Sequence, residues 1–119
     1  MKIQHYRKVK GTKTNPGVTM HILAGVDEKA PNFVMRLFEI EKDCATTLHT
    51  HPWEHEFFVV EGKGVVQSEG KELPIQAGEA AMVLPNEEHC IKNTQPEMLR
   101  VICVVPLVDG KMPGMVAGK

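Results

Sequence analysis

The sequence is short of several things that would have assigned it quickly. It has no surplus of charge: 14 Lys and Arg stand against 15 Asp and Glu, a formal net charge of -1, and the basic residues are scattered along the chain. Phosphate-rich partners and anionic membrane surfaces call for a concentrated positive field, so neither nucleic acid nor membrane is expected as a partner, and small-molecule chemistry is. Three cysteines, Cys44, Cys90 and Cys103, are an odd number without paired spacing and make no disulfide framework. No apolar stretch is long enough for a signal peptide or a membrane span, which sets cytoplasm as the expected compartment. No amphipathic helical period runs through the chain either. At 119 residues it has the size of one domain able to close its own core, so a single domain over 1–119 is expected, with a short arm at 1–17 and a tail at 106–119.

What is present is a succession of short apolar and β-branched segments, punctuated by Gly, Pro and Asn at intervals of roughly 8–12 residues, which marks an all-β sandwich or barrel. The N-terminal arm carries an alternating start at Ile3 and His5 that predicts a short edge strand, with His5 on the surface. Val18 to Leu23 reads as a strand whose His21 is solvated or core. Asn32 to Ile40 is apolar on both faces, with Phe33, Met35 and Leu37 alternating with Val34, Phe38 and Ile40. One face then fills the interior and the other calls for a cover, for which a second subunit is expected, giving a homodimer. Arg36 interrupts that strand. A partnered charge at a strand edge is the first reading of it, and a pocket residue holding an anion the second. Further strands are predicted over Ala45 to His51, His55 to Glu61, Val65 to Gln67, Glu72 to Ile75 on an edge because of Pro74, Ala80 to Leu84, His89 to Asn93 and Met98 to Val105. The tail from Pro106 is expected to be loose or laid over a neighbour.

The most specific stretch is HTHPWEHEFFVVEG, residues 49 to 62. His49 and His51 stand at i and i+2, so on an extended chain both imidazoles leave one face, as is needed to grip one ion. Pro52 has no N–H to offer a ladder, so the chain should turn there and re-enter a sheet at His55, whose ring can face the first two. His89, opening another strand in LPNEEHCIKN, is the best candidate for a fourth ligand. Glu54 and Glu56 are the obvious carboxylates to accept the second N–H of a ligating imidazole.

These residues resemble two motifs of the cupins, small β-barrels. The first family motif is Gly, five residues, His-x-His, three or four residues, Glu, six residues, Gly. Here His49, His51 and Gly62 are in register, His55 stands where the glutamate is usual, and Asp43 replaces the first glycine. The four-residue gap that the family also tolerates implies Glu56 as the substitute ligand should His55 not serve. The second motif is matched by Gly78, His89 and Asn93, with Pro85 one place late and Asn86 where a glycine is common. The resemblance implies a double-stranded β-helix, the jelly-roll barrel. Its run of His-x-His-Pro-Trp-Glu-His is similar to that of small cupins holding manganese or a similar ion with four histidines, which implies His49, His51, His55 and His89 as metal ligands and oxidative chemistry. From the residues alone, imidazole suits iron, nickel, copper and zinc as well, so the divalent ion is left open. The expected function is a metal-dependent oxidoreductase or dioxygenase acting on a small organic molecule without a protein nucleophile, or else a metal-containing ligand-binding or sensing module. Phe57, Val59 and Val101 are expected to wall the site, and Cys103 to face it.

Overall fold

A computed structural model describes residues 1–113 and has nine strands, with two single 3-10 turns at Tyr6–Lys8 and Val26–Glu28. The strands are β1 (Gly11–Asn15), β2 (Val18–Ala24), β3 (Phe33–Ile40), β4 (His55–Glu61), β5 (Lys63–Ser68), β6 (Lys71–Gln76), β7 (Ala80–Val83), β8 (Cys90–Lys92) and β9 (Leu99–Pro106). They form a six-stranded sheet in the order β1-β2-β3-β9-β4-β7 and a three-stranded sheet in the order β6-β5-β8. Every pairing between these strands is antiparallel. The fold is an all-β jelly roll. Among the described residues no helix is long and apolar enough to cross a membrane.

Alternation makes the core. On β9, Leu99, Val101, Cys103 and Val105 point inward and are buried, while Arg100, Ile102 and Val104 lie on the other face. Val66 of β5 and Ile91 of β8 meet Val18, Ile40, Phe57, Val59 and Leu99 of the larger sheet in one cluster, so the two sheets close on each other as a sandwich does. The outer face of β3 and its neighbours is apolar as expected, with Phe33, Met35, Phe58, Val60 and Met82 exposed there. Pro74 does sit on the edge strand β6.

Four expectations need correction. Residues 3 to 5 form no strand, and the edge strand of the large sheet is β1. Ala45 to His51 is irregular backbone, held by isolated bridges Ala45 to Lys92 and His49 to His89, because its polar threonines make side-chain bonds in place of a ladder. β3 lies between β2 and β9, so Arg36 is not at an edge. The tail is packed as far as it is described: Pro106 closes β9, Val108 and Lys111 pair across a turn, and Met112 rests on the core; residues 114–119 lie outside the described residues.

Both departures from the motif glycines have a backbone explanation. Asp43 has φ of 62° and Asn86 of 67°, the left-handed region that Asp and Asn tolerate best after glycine. Gly62, at φ of 94°, is not replaceable in that way, because a Cβ there would lie 2.6 Å from the carbonyl oxygen of Met98.

Candidate metal centre

The four histidines arrive from three places. His49 and His89 exchange backbone hydrogen bonds of 3.2 and 3.1 Å, a mutual pair that sets both side chains on one face. His51 lies just before the Pro52 turn, its carbonyl accepting from Asn86 N–H at 2.7 Å. His55 opens β4 on its inward face, in line with Phe57 and Val59. Ring centroids stand 4.8 Å apart for His49 and His89, 4.9 Å for His51 and His89, 4.7 Å for His55 and His89, 5.1 Å for His49 and His51, and 5.2 Å for His51 and His55. The ring nitrogens of His49, His51 and His89 include a set that lie within 4.8 Å of one another. His55 is outside that set although its ring touches the same cluster.

Backbone carbonyls orient three of the rings. Nδ1 of His49 lies 2.6 Å from Thr47 O, that of His51 2.7 Å from Trp53 O, and that of His89 2.8 Å from Glu87 O. A carbonyl only accepts, so each Nδ1 carries the hydrogen and each Nε2 keeps a free lone pair. Trp53 further holds His51 by parallel stacking at 4.6 Å. The expected carboxylate partners are not used: no hydrogen bond joins Glu54 or Glu56 to these histidines among the described residues. Both are exposed, and Glu56 points out of the sheet, where the neighbouring Glu54 carboxyl raises its pKa. Glu56 therefore cannot substitute for His55.

Three of the rings are held neutral. Burial lowers the pKa of His51, His55 and His89, and neighbouring positive charge lowers each further; for His55, burial together with charge on His89, Arg36, His51 and His49 brings it to about 2. Neutral imidazole is the form that binds a metal. Nε2 of His89 and both ring nitrogens of His55 are buried without a hydrogen-bond partner among the described residues, which is costly unless a ligand meets them. This donor set fits a divalent transition-metal ion.

The cluster forms one wall of a cavity of about 290 Å³. Its apolar lining comes from Met20, Phe38, Ile91, Cys103 and Val105, whereas Phe57, Val59 and Val101 lie deeper in the core and do not reach it. Cys103 faces the cavity as expected, and burial pushes its thiol up to about 11, so it is protonated at neutral pH. Arg36, which the sequence left between two roles, lines the same cavity. Cys90 points elsewhere, donating to Gln67 Oε1 at 3.3 Å. His21 is not a ligand: its ring nitrogens meet Val9 O at 3.0 Å and Glu39 at 2.8 Å.

Residues 36–105 match the family model of the cupin domain. A stretch of 62 residues is 36% identical to an oxalate-binding protein of Thermotoga maritima, the match covering 51% of this chain and 51% of that one. The chain thus spans about half the length of this curated relative. Among solved structures, the polyketide cyclase RemF from Streptomyces resistomycificus superposes with a TM-score of 0.82 at 28% identity, over 89% of this chain and 79% of that one. A predicted oxalate decarboxylase from Thermotoga maritima gives 0.78 at 21% identity, over 90% and 100%, and that likeness is one of fold.

Proposed function

Because the chain belongs to the cupin family, we propose that it is a metal-dependent enzyme that holds one divalent transition-metal ion with His49, His51, His55 and His89 and acts on a small oxygen-bearing organic molecule. The observation that carries this is the set of partnerless ring nitrogens on His55 and His89 beside rings whose Nδ1 atoms are already committed to carbonyls. When bound, such an ion supplies Lewis acidity toward an oxygen ligand and, if it is manganese or iron, electron transfer. The protein's part is to hold His51, His55 and His89 neutral, fix the tautomers of His49, His51 and His89 through the carbonyls of Thr47, Trp53 and Glu87, and screen the reacting molecule from water with Phe38, Ile91 and Val105. No serine or thiolate nucleophile enters: Cys103 is protonated and buried.

Oxidoreductase or dioxygenase chemistry with manganese is the form of this reading we put forward. Binding without turnover is the second, favoured by the oxalate-binding relative. Metal analysis of protein purified without chelators, followed by electron paramagnetic resonance under dioxygen and under peroxide, tests both. About one redox-active ion per chain that changes oxidation state supports an enzyme. A closed tetrahedral zinc site moves the assignment to binding, and protein that takes up no ion refutes the metal.

A further inference from the structure

Five buried side-chain polar atoms lack a hydrogen-bond partner among the described residues: Thr14 Oγ1, Arg36 Nε, His55 Nδ1, His55 Nε2 and His89 Nε2. Every one belongs to a residue lining the same cavity. An ion accounts for the histidine atoms, but a cation does nothing for a guanidinium.

Arg36 is 9% exposed and has neither an ion pair nor a hydrogen bond among the described residues. The carboxylate on its own strand, Glu39, lies on the opposite face and is engaged by His21 and Arg100. Across the ladder its register partner is Cys103, a neutral thiol. Its guanidinium carbon sits 5.0 Å from the Phe38 ring centroid, a cation–π contact that falls well short of the cost of burying an unpaired charge. Arginine cannot escape by losing its proton. Arg36 and the four histidines line one cavity, so its charge stands within the histidine site. A cation kept at this cost inside a ligand cavity is explained by an anion that arrives with the ligand.

We propose that Arg36 anchors the carboxylate of the bound molecule, so that the substrate is a small organic acid whose second oxygen function reaches the ion, with the Thr14 hydroxyl donating to the same carboxylate. This rests on the reading of the four histidines as the ion's ligands. A cavity of about 290 Å³ is at the low end for ligand pockets and suits a compact acid. Its apolar wall of Met20, Ile91 and Val105 accepts a short hydrocarbon body between the two polar ends.

The test is calorimetric titration of manganese-loaded protein with oxalate, malonate and succinate, and with the neutral diamides of the same acids, on the wild type, Arg36→Gln and Arg36→Met. At least one acid is expected to bind the wild type more tightly than its diamide and to lose about tenfold or more in both variants, as charge-assisted hydrogen bonds of 1.5–3 kcal/mol imply. Metal should still be taken up, and diamide affinity should fall far less than acid affinity. Arg36→Met should melt higher than the wild type without acid, since it removes an unpaired buried charge. Acid affinity equal in wild type and both variants, or no acid bound by ion-loaded wild type, overturns the proposal; so does a variant that melts lower and loses acid and diamide alike, which makes Arg36 structural. If the wild type takes up no ion, the metal reading fails, and acid titration of the ion-free protein still decides Arg36: Arg36-dependent binding upholds the anchor and its absence overturns it.

Discussion

Acidification of the metal-free protein should expose His55. Burial, with the positive charge around it, holds its pKa at about 2, against ~6.5 for an unfolded histidine. Between these values the unfolded chain binds a proton that the native state refuses, so stability rises with pH and is lost as pH falls below ~6.5, at about 1.4 kcal/mol per unit for one such group. Going from pH 7 to pH 5 therefore removes about 2 kcal/mol through His55 alone, a large share of the 5–15 kcal/mol typical of a domain. His51 and His89 are shifted in the same direction and add to the loss. The assay is urea unfolding of chelator-treated protein at pH 7, 6 and 5, followed by circular dichroism. His55→Gln removes the titrating group, so its stability should fall by about 2 kcal/mol less than that of the wild type over the same range. Parallel pH profiles for the two proteins would show that His55 is not held neutral by the fold, and the reasoning from burial would fail.

Cys103, protonated and enclosed, should resist alkylation in the ion-free protein, while peroxide should oxidise it faster in the manganese- or iron-loaded protein; mass spectrometry of its peptide decides, and equal rates with and without metal contradict a reactive ion beside it. Asp43→Gly and Asn86→Gly should be neutral or stabilising by up to about 1 kcal/mol, whereas alanine at either place should destabilise, because both sites need a left-handed backbone; thermal melts that rank alanine above glycine refute this. The apolar outer face around Phe33, Phe58 and Met82 should pair two copies, and Phe58→Glu should convert a dimer to a monomer in sedimentation runs; a monomeric wild type would refute it.

Much of the fold was legible because β4 and β9 obey a strict alternation: the expected strand at His55 to Glu61 coincides with β4, and Cys103, expected to face the site, stands in the inward set Leu99, Val101, Cys103, Val105. The convergence of His49, His51 and His89 was legible from the i, i+2 spacing and the second motif. What the ring N–H groups bond to was not, since carbonyls occur at every residue and only the local turn decides that Thr47, Trp53 and Glu87 present theirs. Carboxylates are visible in a sequence and carbonyls are not, which is why Glu54 and Glu56 drew attention. Arg36 was ambiguous for a different reason. Its surroundings depend on β9 entering the sheet between β3 and β4, a long-range pairing that no local pattern encodes. Depth along an inward face is equally hidden, so Phe57 and Val101 could not be told from Cys103 and Val105 as cavity walls.

The most direct measurement is X-ray absorption fine structure on protein loaded with one equivalent of manganese or iron, counting the imidazoles at the ion in the wild type and in His55→Ala. Four imidazole nitrogens in the wild type and three in the variant are predicted. Three in both proteins would remove His55 from the site, and two or fewer, or no ordered ion at all, would contradict the four-histidine metal centre itself.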